Sequence, residues 1–405
     1  MGMRIRLCLM MFFQYAIWGA WNPVLSDYLL NELGFSGAQV GIIYSLLPLA
    51  TIIAPFIGGQ IADRYFASQK VIAVLQLAGG GLLLFISRIS DYHTMMGLML
   101  FYCLLYAPTL ALTNSVAFIN LKNSEKEFGI VRVWGTIGWI VAGLLLMGWR
   151  QVAQSQTAIA IQGDTLLLAG IFSIIMGFQA LTLPNTPPKK EGAKPWAFLE
   201  AIKMMKDKNF LAFVIISFVV ATELMFYYVL TAPFLTSDKI GLSSASVPGV
   251  MVIAQVAEIF VLAILLPYSI SRIGIRNILV LGVLAWPLRY IIFAIGQPSW
   301  LVIASLSLHG FCFVFFFAAA FIYVDTVAPR DIRHSAQSLI MLVTYGVGSY
   351  IGSLFAGWIR DLFTSESGTN WTQVFIVPCF LTVLSAAAFL LFVRDNRPAS
   401  TQPNG

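Results

Sequence analysis

Twelve apolar runs recur along the chain, each close to the ~20 residues a helix needs to cross ~30 Å of hydrocarbon. They fall near residues 7 to 30, 37 to 60, 70 to 88, 96 to 120, 130 to 148, 164 to 184, 209 to 235, 245 to 270, 277 to 295, 299 to 324, 336 to 358 and 371 to 393. Only short polar breaks separate them. The runs are continuous and lack the alternation of ~10-residue barrel strands. In lipid the backbone must satisfy its own hydrogen bonds, so the remaining solution is the helix. The pattern predicts an all-α integral membrane protein of twelve transmembrane helices. The first run contains MFFQYAIWGAWNPVL. It is too long and too aromatic for a signal peptide and has no small-residue cleavage site, so it is expected to remain as the first helix.

Composition agrees. Hydrophobic residues make up 59% of 405 and charged residues 10%, against roughly 25% charged in a soluble domain, which is too little to build a water-exposed surface. The net charge of +6 does not point to nucleic acid, because the basic residues are scattered and form no clustered face. Topology accounts for them better. With both termini cytoplasmic, the N-terminus, the even-numbered loops and the tail hold 18 of the 24 Lys and Arg. The other side then holds Arg88, Arg150, Lys239 and Arg360, while Arg132 and Arg289 lie within runs. This asymmetry is the positive-inside bias, and it predicts cytoplasmic N and C termini.

Enzyme chemistry has no footing in the sequence. The three histidines, His93, His309 and His334, are far apart and show no H-x-x-x-H or E-x-x-H spacing. No phosphate loop, nucleophile with a base, or metal set is evident. Cys8, Cys103, Cys312 and Cys379 fall in or beside apolar runs and read as small core hydrophobes.

The longest polar stretch, PNTPPKKEGAKPWAFLEAIKMMKDKN, divides the runs six and six. The expected organisation is an N-terminal six-helix bundle (1–184), a cytoplasmic linker (185–208), a C-terminal six-helix bundle (209–395) and a tail (396–405). Within the linker, Trp196 to Lys206 is either an amphipathic surface helix or plain solvated chain. Corresponding loops repeat between halves: GGQIADRYFASQK follows the second run and LPYSISRIGIRN the eighth. Small residues four apart, Gly138 with Ala142 and Gly348 with Gly352, permit close helix approach and suggest sliding contacts with the opposite half.

Gly59, Asp63, Arg64 and Lys70 resemble the loop signature of the major facilitator superfamily, with a weaker second copy at Arg272, Gly274 and Arg276. That resemblance implies two six-helix bundles, with Asp63 and Arg64 as a conformational latch. The segments FFQYAIWGAW, APTLALTN, RVWGTIG, AQVAE, RIGIRN and IRHSAQ are similar, in order, to the nucleoside:proton symporter family. Membership implies a multi-pass carrier in the bacterial cytoplasmic membrane. It would import nucleosides such as uridine or adenosine by alternating access, with the proton as coupling ion and no other cofactor, and function as a monomer.

An ionisable residue deep in a span costs at least ~2.5 to 3.5 kcal/mol on insertion scales and normally faces a partner or a wet cavity. Arg132, Thr136 and Trp139 share one face of helix five. The family's substrate arginine resembles Arg132; the competing reading is a side chain snorkelling to the interface. Gln255 and Glu258 share a face of helix eight and offer an amide to a base edge and a carboxylate to ribose hydroxyls, or else form a structural pair. On helix ten, His309 and Phe313 could stack on a base, though a phenylalanine run there also suits core or lipid. Here the chain departs from the family, with Val314 where its carriers have an acid, His309 for a tyrosine, and Met225 and Tyr228 for amides on helix seven. Glu258 and His309 are therefore the proton-coupling candidates, since groups in poorly hydrated pockets can exchange protons near neutrality. Glu223 reads as either site or scaffold, Arg289 as a packing anchor, and Asp325 as offsetting Arg330. Rival functions are a carrier for sugars or small aromatic acids and a non-transporting membrane sensor.

Overall fold

The computed structural model describes residues 2–155, 163–187, 196 and 198–393, without the side chains of 55–65, 124–126 and 154–155. The expected latch side chains Asp63 and Arg64 and the tail 396–405 lie outside the described residues. Among the described residues, nine stretches are long and apolar enough to cross a membrane, and twelve helical spans follow the expected order. They are α1 (Met3–Trp21), α2 (Gly37–Tyr65), α3 (Ser68–Ile86), α4 (Tyr92–Asn120), α5 (Ser124–Ser155) and α6 (Asp164–Ala180). After the linker come α7 (Lys208–Thr236), then α8 and α9 within Val247–Ile295, then α10 (Ser299–Val327), α11 (Arg333–Leu362) and α12 (Trp371–Phe392). Their ends follow side-chain chemistry. Asp91 accepts from the Thr94 N–H to start α4, Asp207 caps α7, and Asn370 caps α12, each satisfying amide groups the first turn leaves free.

Two local readings need correction. The loop expected over Leu266 to Asn277 is helical except at Gly274 (φ 76°, ψ 161°), a conformation open to glycine and costly for other residues. The first span breaks after Trp21 and resumes over Leu25–Asp27, which runs into a π-helical turn at Tyr28–Glu32. The linker segment, open between a surface helix and solvated chain, is helical among the described residues only over its end, where Phe198–Ala201 runs directly into a 3₁₀ turn Ile202–Lys206.

In one half, α1 packs on α5 and α6, and α3 on α4 and α6; in the other, α7 packs on α11 and α12, and α9 on α12. The halves meet along two seams, α2 against α11 and α5 against α8. The small-residue expectation is half right. Gly138 lies against the Phe12 backbone of α1, while Gly348 and Gly352 lie against Ala221 and Thr222 of α7, so those contacts stay within each half. Close approaches between halves include Gly37 against Gly357, Gly41, whose added Cβ would meet the Ser353 carbonyl at 2.6 Å, and Gly143 against Val252 and Pro248.

Among the described residues, the hydrogen bonds that join the two halves all lie at the end opposite the chain termini, the distal end. The Asp361 carboxylate of α11 accepts from the Gly37 and Ala38 N–H groups at 2.6 and 2.7 Å, capping the positive end of α2. Asp27 accepts from Asn31 (2.7 Å), Thr236 (2.6 Å) and Ser244 (2.6 Å). Arg150 forms a buried two-point pair with Asp164 (2.8 and 2.7 Å) and donates to the Ser244 carbonyl at 3.1 Å. Beneath this layer Gly19, Trp139, Gly143, Pro248 and Val252 close the α5–α8 seam, leaving no space for a water molecule. The structure is shut at its distal end. Asp325 pairs with Arg333 at 3.3 Å and accepts from Gln337, not with the expected Arg330, because Arg333 begins the adjacent helix and faces it.

Candidate functional site

The charges predicted for the site come from opposite halves. Arg132 sits just over two turns into α5, and Glu258 is near the middle of α8; both are half-buried. Each lies within Coulombic range of the other, yet among the described residues neither side chain makes a hydrogen bond or ion pair. The Arg132 guanidinium lies over the Tyr15 ring at 3.9 Å, a cation–π contact that holds it in place while leaving its N–H groups free. Thr136 is one turn further on the same helix and half-buried.

Around these charges runs a chain of aromatic rings. Tyr15 contacts Trp18 (centroids 6.4 Å), Trp18 contacts Trp139 (5.5 Å), and Trp139 reaches across to Tyr228 of α7 (6.4 Å). In the second half, Phe313 contacts Phe317 (5.5 Å) and Phe317 contacts Tyr345 (5.6 Å). Tyr345 returns to within Coulombic range of Glu258, Arg132 and Tyr15. The π-helical segments Phe313–Ala318 of α10 and Leu342–Gly348 of α11 carry these last rings. A π-turn rotates the following side chains out of α-helical phase, and such segments gather at functional sites. The arrangement offers flat apolar faces for stacking with a cation, a carboxylate and a hydroxyl at its edge.

Three predicted residues sit behind this lining. His309 is fully buried and sandwiched between Tyr227 (4.4 Å) and Phe313 (5.6 Å). Met225 and Gln255 are 6% and 5% exposed, and Val314, at 1%, is core. The structure brings Arg132 near Glu258 and Trp139 against Tyr228 across the two halves, leaves Thr136 and Phe313 half-buried, and buries His309, Met225 and Gln255. Tyr15, Trp18 and Tyr345, all half-buried, join the lining without having been singled out, whereas Phe317, 1% exposed, is core. Tyr15 and Trp18 lie within the quoted FFQYAIWGAW segment and Tyr345 beside the glycines of α11, but no spacing rule separates a lining ring from a packing ring. Behind Tyr15 a fully paired network fixes α1: Gln14 donates to Thr109 (2.9 Å), Gln76 to Gln14 (3.0 Å), and Ser173 to Gln76 (2.7 Å). Among the described residues no His, Cys, Asp and Glu group could hold a metal ion.

The family model for nucleoside H⁺ symporters matches residues 1–398. A putative nucleoside transporter of Escherichia coli, YegT, is 34% identical, covering 96% of this chain and 94% of its own. The E. coli xanthosine permease is 30% identical over 98% and 97%. The crystal structure of the nucleoside transporter NupG superposes with a TM-score of 0.86 at 26% identity, covering 98% of this chain and 100% of that one.

Proposed function

Because this chain belongs to the nucleoside H⁺ symporter family, a family of multi-pass carriers of the major facilitator fold, we propose that it imports nucleosides with protons across the bacterial cytoplasmic membrane. The observation that carries the reading is the pair of unpartnered opposite charges, Arg132 and Glu258, one on each half, inside a run of aromatic rings. A nucleoside complements both parts. Its base stacks among Tyr228, Trp139 and Phe313, and its ribose hydroxyls donate to the Glu258 carboxylate and accept from Arg132 and Thr136. A solute held by both halves at once draws them together.

In this reading the two bundles rock about the solute. The end holding the basic loops is cytoplasmic, so the closed distal end faces outward. Glu258 is a proton-coupling candidate because it is both solute ligand and titratable acid. The protein works as a monomer, since each chain carries both halves of the site. Proteoliposome uptake of radiolabelled uridine, adenosine and xanthosine, with and without an inward proton gradient, tests the proposal. Gradient-stimulated uptake is expected. Uptake blocked by sugars or small aromatic acids while nucleosides fail to compete would overturn it.

A further inference from the structure

Arg289 of α9 and His309 of α10 are both fully buried, and a close helix approach brings them together. Gly282 lets α9 come so near α10 that an added Cβ would lie 2.6 Å from the Phe315 backbone. Arg289 follows seven residues later on the same face of α9, and its Nη1 meets His309 Nδ1 at 3.2 Å. The rings of Trp286 (4.5 Å), Tyr227 (4.6 Å) and Tyr290 (5.2 Å) hold the guanidinium. Gly310, beside His309, presses the same turn of α10 onto α8, where an added Cβ would meet the Ala257 backbone at 2.7 Å and the Glu258 backbone nitrogen at 3.0 Å. His309 is also the centre of a ring stack. Its imidazole stacks on Tyr227 (centroids 4.4 Å, interplanar 22°) and, one turn along α10, on Phe313 (5.6 Å, 25°), and Tyr228 meets it edge-on at 6.0 Å. Phe313 and Tyr228 are the half-buried rings of this group.

We infer that Arg289 is a positioning residue for the solute site: its bond to Nδ1 holds His309 as the neutral Nε2–H imidazole and fixes the ring on which Phe313 and Tyr228 rest. The inference deepens the proposed nucleoside transport and rests on it for what the rings bind. A guanidinium carries five N–H donors, has no acceptor and keeps its charge. Nδ1 must therefore present its lone pair, and the hydrogen bond at one ring nitrogen sets which nitrogen carries the proton. Nε2 has no hydrogen-bond partner, so Nδ1 alone decides the tautomer. A second proton on the ring would set donor against donor and place two cations 3.2 Å apart, while among the described residues no carboxylate forms an ion pair with either. The other titratable groups near the ring are Tyr227 and Tyr228; Tyr290 and Cys312 lie within Coulombic range of Arg289, and Glu258 within range of both Tyr227 and Tyr228. Because the Nδ1 lone pair lies in the ring plane, the bond resists rotation of the imidazole and keeps its faces parallel to Tyr227 and Phe313. Arg289 thus acts on the solute through His309 without touching it. His309 is withdrawn from proton carriage, which leaves Glu258 of the two coupling candidates.

Histidine ¹⁵N resonances of the full chain in lipid, assigned through His309→Asn, read the ring without any solute, so failure here is distinct from failure of the nucleoside reading. The expected signature in wild type is one bare and one protonated ring nitrogen, with the proton on Nε2, unchanged between about pH 5 and 8. A doubly protonated ring within that window, or a proton on Nδ1, overturns the inference. Arg289→Met removes the donor and the charge while keeping a long apolar stem. It is expected to release the ring to a mixture of tautomers and to weaken equilibrium binding of uridine or adenosine about 3- to 100-fold; a wild-type ring signature with wild-type affinity overturns the positioning role. In a His309→Asn background, Arg289→Met should change that affinity by less than about twofold, whereas two effects that simply multiply would show Arg289 acting independently of His309 and contradict the inference.

Discussion

Removing the Asp361 carboxylate is expected to loosen the distal closure by a calculable amount. Two backbone N–H groups donate to it at 2.6 and 2.7 Å across the α2–α11 seam. Hydrogen bonds to a charged acceptor contribute ~1.5 to 3 kcal/mol each when protected from water, and a charge at a helix N-terminus adds ~0.3 to 1 kcal/mol. Asp361 is 31% exposed and also accepts from Arg360 at 3.1 Å, so solvent screening and competition reduce the sum. A net of ~1 to 2 kcal/mol remains, and at 1.4 kcal/mol per decade this raises the distal-open population by roughly 5- to 30-fold. Spin labels at Glu32→Cys and Glu366→Cys, in a background with the native cysteines replaced, report the separation of the two distal rims by double electron–electron resonance. Asp361→Ala should move population from short to long distances, and Asp361→Asn, which keeps one acceptor, should fall between. Identical distributions in wild type and Asp361→Ala would refute the cap as a closure element.

Two further outcomes follow from the same end of the molecule. Arg150→Ala leaves Asp164, 6% exposed, as a buried charge without its partner, and should lower unfolding stability in detergent by ~3 to 5 kcal/mol; the Arg150→Ala/Asp164→Ala double variant should recover part of that loss, and an unchanged melting temperature would contradict the assignment. The Asp91 carboxyl is held below its usual range by the Thr94 backbone N–H and then the Thr94 hydroxyl. Its cap on α4 is therefore complete above the unfolded-state value of ~3.9 and is lost as pH falls through the lower folded value. Amide exchange in the first turn of α4 should accelerate only on that acid side in wild type and at all pH values in Asp91→Ala.

The twelve helices were legible because the bilayer imposes a length on each span and twenty apolar residues have few other uses. Breaks inside spans were less visible. The kink at Gly274 replaces a loop, and the π-segments of α10 and α11 leave no mark in hydropathy. Arg132, Thr136 and Glu258 stood out because polar residues in spans are costly and few, and Arg132 and Glu258 come within Coulombic range of each other from opposite halves. Burial of His309 behind Tyr228 was not readable, since helical spacing gives a face and not a depth. Gly138, Gly348 and Gly352 announced close approach correctly but not its partner, because α1 and α7 are far away in sequence. Glu223 and Arg289 were visible singly; that Tyr290 and Cys312 lie near both is a property of the packed bundle alone.

The central claim is that one solute is held by a cation from one half and a carboxylate from the other. Equilibrium binding of uridine, adenosine and xanthosine to purified wild type, Arg132→Ala and Glu258→Gln tests it most directly. Neither charge has an ion-pair partner among the described residues, so Glu258→Gln should keep wild-type thermal stability and Arg132→Ala should lose only its contact with the Tyr15 ring, about 0.5 to 2 kcal/mol. Loss of a charged hydrogen-bonding group removes ~1.5 to 3 kcal/mol, so each variant should bind its nucleoside roughly 10- to 100-fold more weakly. Affinities within twofold of wild type in both variants would place the solute elsewhere and contradict the account.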